Sequence, residues 1–216
     1  MGLPTVAISL LGLWMPLGQA AALLVWSSLL TNLAQCRGRD APRLLRLLWP
    51  MGLLLVAAAV VTPPLPATGA SGRGILGGVL LAYGFWGLVR PVLPDLSRRP
   101  WFWGIAAGAL TGAVTAWTGV FVMPLVPYLQ ALKLDKEALV QALGMSFTVA
   151  TLALAWRLHG LAGAGAWQWH SVWALLAALT GLWCGARLRA RLTGTAFQQG
   201  VFLSFVLLGV VNLWWR

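Results

Sequence analysis

Neutral polar side chains lie inside several long apolar stretches of this sequence. Asn32 and Gln141 carry amides, and an amide in hydrocarbon needs an external hydrogen-bond partner or an aqueous cavity. Hydroxyl groups recur near them at helical spacing, in Ser28, Thr31, Thr115, Thr118 and Thr148. We expect these side chains to line the path of a polar solute. The alternative for each hydroxyl is a hydrogen bond to the carbonyl four residues back in its own helix.

Acidic side chains are almost absent. The chain has four carboxylates, all in loops or at the ends of apolar stretches: Asp40, Asp95, Asp135 and Glu137. A cation pump or proton relay in a membrane generally uses buried acids, which this sequence does not offer. The sequence therefore favours a neutral lining, which suits an anionic solute better than a cation.

Enzyme chemistry lacks its partner groups. Ser146 stands in "GMSF", the G-x-S-x form of intramembrane serine proteases, but His159 lies about 19 Å farther along the same helix. Cys36 and Cys184 lack the spacing of a metal site or redox pair, and no H-E-x-x-H pattern occurs. We predict no enzymatic activity, metal or cofactor. An intramembrane serine protease stays a remote alternative.

The elements that position these side chains must be membrane helices. Of the 216 residues, 60% are hydrophobic and only 9% are charged, and the mean hydropathy is +0.83. A soluble domain needs much more charge to cover its surface. The net charge of +11 comes from Lys and Arg in short loops, without a continuous basic face, so nucleic acid is not a predicted partner. The predicted macroscopic partner is the lipid bilayer.

Eight apolar blocks follow one another along the chain, and lipid requires each to be helical. Their bounds are roughly 3 to 13, 17 to 35, 47 to 63, 74 to 93, 101 to 129, 137 to 157, 167 to 185 and 196 to 214. The fifth block would be roughly 43 Å long as one helix, which exceeds the ~30 Å hydrocarbon core. The sequence thus predicts an all-α polytopic membrane protein with about seven or eight membrane segments.

The distribution of Lys and Arg indicates how the fifth block crosses. If it dips in and returns, breaking near Gly119, one side of the membrane collects twelve of the fifteen basic residues. A single crossing would scatter the Arg-rich loops over both sides. We therefore predict a re-entrant helix pair hinged at Gly119, Pro124 and Pro127. The half-helix from Val120 is expected to start at mid-depth with unpaired N–H groups, which would attract an anion.

This topology also predicts an inverted repeat. Residues 1–93 would form the first transmembrane repeat and residues 101–216 the second, with opposite orientations. Inverted repeats with broken helices are the usual architecture of secondary transporters. Within the fifth block, Gly104, Gly108 and Gly112 recur every four residues, which is typical of close helix packing.

The second half of the chain resembles the sulfite exporter (TauE/SafE) family of membrane permeases. The resemblance lies in the glycine-spaced helix ending at Gly119, in Pro124, and in the following "LVPYLQALKLDKEALVQALGMSFTVATLALAW". Residues 12–35 resemble the corresponding part of that family's first repeat. The chain departs from the family pattern in two ways. Trp117 and Thr118 stand where the family usually has clustered glycines. The first half of the first repeat is missing, so the first repeat is expected to be incomplete at its N-terminus.

The resemblance implies alternating-access transport of small sulfur-containing or organic anions, such as sulfite, sulfonates and carboxylates, across the cytoplasmic (inner) membrane. Gly119 and the polar residues named above would then bind the anion. A non-transporting membrane scaffold or assembly factor is the alternative. The anion, the direction of transport, the coupling ion and a homo-oligomeric state stay open.

Overall fold

The computed structural model describes residues 3–13, 17–63, 69–89, 93–162, 180 and 194–214. Within these ranges the chain forms eight helices and no strand, which confirms the predicted all-α class. The seventh predicted block, residues 167–185, lies almost wholly outside the described residues. The helices are α1 Leu3–Leu11, α2 Leu17–Gln35, α3 Ala41–Val61, α4 Gly69–Val89, α5 Pro100–Thr118, α6 Leu125–Ala131, α7 Lys136–Ala162 and α8 Gly194–Trp214.

Four of the described helices contain segments long and apolar enough to cross a membrane. These segments are Leu17–Gln35, Ala41–Val61, Gly72–Val89 and Lys136–Leu158. Large apolar side chains point away from the protein on these helices; Val61 is 79% exposed and Trp156 73%. Since hydrocarbon rather than water solvates such surfaces, the chain is a multi-pass membrane protein.

The chain folds into two compact units. Unit 1 comprises Met1–Ser27, Leu65–Pro91 and Ala164–Arg216, and unit 2 comprises Ser28–Pro64 and Val92–Gly163. Each unit combines segments from both predicted repeats, so the units are not the repeats themselves. The division into repeats at residues 1–93 and 101–216 stays a prediction.

In unit 1, α4 and α8 pack closely through glycine. A Cβ atom at Gly77 would lie 2.8 Å from the carbonyl oxygen of Gly209, and a Cβ at Gly209 would lie 2.9 Å from that of Gly77. Tyr83 on α4 contacts the rings of Phe202 and Phe205 on α8. Small residues let the backbones approach where lipid provides no hydrophobic drive between helices.

In unit 2, α3, α5 and α7 run parallel to one another. A Cβ at Gly108 would overlap the carbonyl of Met51, and one at Gly112 would overlap that of Leu55, so α5 advances along α3 in register. The glycine series of α5 is therefore a packing surface, as its spacing indicates. On α7, Val149 lies 3.8 Å from the Cβ position of Gly52, and Arg157 bonds to α3 carbonyls farther along.

The segment from α5 through α6 leaves one end of unit 2 and returns to it. Gly119 ends α5 in the left-handed conformation, with φ 72°, which turns the chain back. The hydroxyl of Tyr128 on α6 donates to the carbonyl of Pro100 at the start of α5, over 2.8 Å. Leu96, which precedes α5, donates its N–H to Ala131 at the end of α6, over 3.1 Å. The predicted broken, re-entrant pair is thus present.

The depth of the break differs from the prediction. Trp117, in the last turn of α5, donates its indole N–H to the carbonyl of Pro63, just beyond the end of α3. The break at Gly119 therefore lies level with the far end of α3 and not at mid-depth. The second half-helix starts at Leu125 instead of Val120, because residues 119–124 first run without helical structure.

Candidate functional site

All the predicted site residues fall in unit 2, and those of α2 and α7 meet along one seam. The Asn32 side chain donates to the hydroxyl of Thr151 over 3.4 Å, and that of Gln141 donates to the carbonyl of Cys36 over 3.0 Å. Gly144 permits this approach, since a Cβ there would lie 2.7 Å from the Cβ of Gln35. The two amides that needed external partners thus find them between helices.

The hydroxyl groups along this seam bond within their own helices. Thr31 donates to the carbonyl of Ser28 over 3.0 Å, and Thr148 donates to that of Gly144 over 2.8 Å. The Thr148 hydroxyl also lies 3.5 Å from the sulfur of Cys36. Of these contacts, only the one between Cys36 and Thr148 joins the two segments. Thr31 and Thr148 thus make the own-helix bonds that are the structural alternative to a solute-binding role.

A second group of predicted residues surrounds the break. Thr115 and Thr118 are fully buried, and their hydroxyls donate to the carbonyls of Thr111 and Val114, each over 2.7 Å. The Thr118 hydroxyl in turn accepts the N–H of Val120 over 3.1 Å. The N–H of Gly119 donates to the Thr115 carbonyl over 2.9 Å.

These bonds correct one prediction. The sequence predicts unpaired N–H groups from Val120 onward that attract an anion, but the N–H of Val120 itself is paired with Thr118, and the preceding N–H of Gly119 with Thr115. At the start of α6, Val126 donates to Val122, Tyr128 donates to Pro124, and Pro127 has no N–H. Pro124 precedes α6 and Pro127 lies in its first turn, where a missing N–H costs no intrahelical bond. Both prolines thus delimit the return segment.

Three participants were missing from the predicted site. Thr151 accepts the bond from Asn32, and it lies three residues beyond Thr148, so helical spacing alone points to it. The hydroxyls of Thr111 and Ser146 are buried without a hydrogen-bond partner among the described residues. That property depends on side-chain orientation and neighbouring helices, which spacing does not reveal.

The two ends of unit 2 differ in charge. The α2–α3, α4–α5 and α6–α7 loops share one end, which carries exposed Arg37, Arg39, Arg98, Arg99, Lys133 and Lys136. Asp95 lies there too, and hydrogen bonds from the side chain and then the backbone of Ser97 lower the pKa of its carboxyl. At the other end, Arg157 donates to the carbonyls of Ala59 and Thr62, each over 2.8 Å, and so caps α3.

Among the described residues no cluster of His, Cys, Asp or Glu could hold a metal ion. The arrangement is that of a helical membrane protein with a broken helix pair and neutral polar groups between helices, which is a transporter architecture. A family model for the sulfite exporter TauE/SafE matches residues 1–212, and the chain belongs to this family of membrane transporters. No curated protein and no solved structure matches the chain.

Proposed function

We propose that the protein is a permease that moves small sulfur-containing or organic anions across the cytoplasmic membrane by alternating access. The match to the sulfite exporter family over nearly the whole chain carries this proposal. The broken α5–α6 pair supports it, since broken helices surround substrate sites in secondary transporters. The four carboxylates lie in loops or at the ends of apolar blocks, which leaves an interior that does not repel an anion.

The seam between α2 and α7 is the proposed moving contact. Its bond from Asn32 to Thr151, at 3.4 Å, is longer than an ordinary amide hydrogen bond, so little free energy opposes its exchange. When α2 and α7 separate, Ser28, Thr31, Asn32, Gln141 and Thr148 would present donors to the anion. Thr115, Thr118 and Gly119 would line the same path at the break.

Flux into proteoliposomes tests the proposal. We expect sulfite or sulfoacetate to exchange across vesicles that contain the protein, and Asn32→Leu to reduce the rate about ten-fold, as the loss of a hydrogen bond to an anion implies. Leu33→Ala is the matched control, since Leu33 neighbours Asn32 but is 47% exposed to lipid. The control should transport like the unmodified protein.

A panel of small anions provides a second readout. A ligand that binds only the folded protein raises its apparent melting temperature. No flux together with no thermal stabilisation by any anion would contradict the permease and favour the non-transporting scaffold. Equal flux in Asn32→Leu and Leu33→Ala would remove the α2–α7 seam from the proposed path.

A further inference from the structure

Four buried side-chain atoms lack a hydrogen-bond partner among the described residues. They are Oε1 of Gln35, Oγ1 of Thr111, Oγ of Ser146 and Oδ1 of Asn212. The two amide oxygens can only accept hydrogen bonds, whereas each hydroxyl can also donate one. Among these four atoms, only the hydroxyls of Thr111 and Ser146 can therefore donate to an anion.

Neighbouring hydroxyls on the same helices do have hydrogen-bond partners, so the missing partners are particular to Thr111 and Ser146. Thr115 and Thr151 stand on the same helices and bond to the carbonyl four residues back, over 2.7 Å each. Thr111 is 0% exposed and Ser146 3%, yet neither makes this bond. Because buried polar groups nearly always have a partner, these hydroxyls call for one beyond the described residues, such as a bound solute.

Both hydroxyls lie close to the middle of α3. Gly108 packs on Met51 and Gly112 on Leu55, which places Thr111 level with residue 54 or so. Val149 lies beside Gly52, which places Ser146 about one turn earlier, near the level of residue 49. Since Met51 is the central residue of Ala41–Val61, the two hydroxyls flank mid-depth, about 8 Å apart along the axis.

Ser146 faces the inside of unit 2. On α7 it lies between the face of Val149, which contacts α3, and the face of Phe147, whose ring packs on Phe121 of the return segment with centroids 5.1 Å apart. Its neighbours one turn away on either side are the buried Ala142 and Ala150. The side chains one turn away on the same helix are therefore small.

Thr111 faces the return segment from the other side. It shares its face of α5 with Gly104, which packs on Tyr128 of α6, and with Thr118, which bonds to Val120. The two free hydroxyls are thus on α5 and α7, the two helices between which the return segment runs.

Resting on the proposed function, we propose that the hydroxyls of Thr111 and Ser146 are the mid-depth donors for the transported anion. Each hydroxyl can donate one hydrogen bond, so together they would hold two oxygen atoms of a small oxoanion such as sulfite between α5 and α7.

The test removes each hydroxyl while conserving volume, by Thr111→Val and Ser146→Ala. We expect the KM for sulfite flux in proteoliposomes to rise about ten-fold in each variant, because a hydrogen bond to a charged group is lost. The melting temperature without substrate should stay level or rise, since an unpaired buried hydroxyl is removed. Thr111→Ser, which keeps the hydroxyl, should restore the KM.

Ser9→Ala is the matched control. Ser9 is fully buried in α1, and its hydroxyl already donates to the carbonyl of Thr5 over 2.8 Å. Its removal should leave the KM unchanged, which separates the loss of a free donor from the loss of any buried serine.

Three results would overturn the assignment alone: flux with an unshifted KM in both variants, a marked fall in the melting temperature of both, or a shifted Na⁺ requirement with the sulfite KM unmoved. Absence of flux of any anion in the unmodified protein would instead overturn the proposed function and this assignment with it. The two failures are therefore distinguishable.

Discussion

Threonine hydroxyls in unit 2 fall into two groups according to their partners. Those of Thr115, Thr118, Thr148 and Thr151 donate to a carbonyl one turn back in the same helix. Thr111 has the same residue type and the same helical backbone, but its hydroxyl has no partner among the described residues. A hydroxyl satisfied by its own helix costs little in lipid, whereas an unsatisfied one is costly to bury. Side-chain partners therefore separate structural from candidate functional threonines better than residue type does.

Gly119 supports a prediction at the residue scale. Its φ of 72° lies in the left-handed region, where a Cβ atom is strained. We expect Gly119→Ala to lower the free energy of unfolding by about 1–2 kcal/mol, measured from the helical circular dichroism during a denaturant titration in detergent micelles.

Gly78→Ala is the control for Gly119→Ala. Gly78 lies inside α4, and a Cβ there would meet no atom within 4 Å. Alanine at that position should leave stability unchanged or raise it by about 0.5–1 kcal/mol, since glycine disfavours a helix interior. Equal effects of the two substitutions would contradict the left-handed turn at Gly119.

At the scale of elements, the seam between α2 and α7 combines close packing with few strong bonds. Gly144 brings the helices together, while the bond from Asn32 is long and the contact between Cys36 and Thr148 involves a weakly bonding thiol. A seam of this kind holds two helices in register without locking them. The α3–α5 contact is more extensive, because two successive glycines, Gly108 and Gly112, each seat the backbone of α5 against a carbonyl of α3.

The seam can be locked by a disulfide. The sulfur of Cys36 lies 3.5 Å from the hydroxyl oxygen of Thr148, so Thr148→Cys in a Cys184→Ser background should oxidise readily to a bridge. If the seam opens during transport, as proposed, oxidation should abolish sulfite flux and a reductant should restore it. Loss of maleimide labelling would report the bridge.

Leu152→Cys is the control for the bridge, because Leu152 lies one turn farther along α7 and is 52% exposed to lipid. It should neither form the bridge nor lose flux on oxidation. A Thr148→Cys bridge that forms and leaves flux unchanged would show that the seam stays closed during transport, while failure to form it would contradict the packing of α2 on α7.

At the scale of the whole molecule, the sequence predicts the elements better than their depth. The break at Gly119 follows from two features that are visible in the sequence. One block is too long for a single crossing, and Arg is concentrated in particular loops. The level of that break is set by the bond from Trp117 to Pro63, between residues 54 positions apart in the chain. A contact between residues so far apart in the chain produces no repeating pattern in the sequence of either helix.

The candidate site shows the same limit. Spacing indicates which polar residues share a face. Asn32 on α2 contacts Thr151 on α7, and Gln141 and Thr148 on α7 contact Cys36, which follows α2. Whether a donor is free depends on the rotamer and on the neighbouring helix. The missing hydrogen-bond partners of Thr111 and Ser146 therefore emerge only from the packed structure.

The sidedness of the loops is the prediction that tests the topology as a whole. Because Leu96 bonds to Ala131, the loops before α5 and after α6 must lie on one side of the membrane. In a background without Cys36 and Cys184, single cysteines at Arg39, Arg98 and Lys133 should react with an impermeant maleimide only in inverted vesicles, if positive loops face the cytoplasm. Pro63→Cys, beyond the far end of α3, should react only in right-side-out vesicles. Labelling of Arg98→Cys and Lys133→Cys from opposite sides would mean that the α5–α6 segment crosses once, and the re-entrant pair would have to be abandoned.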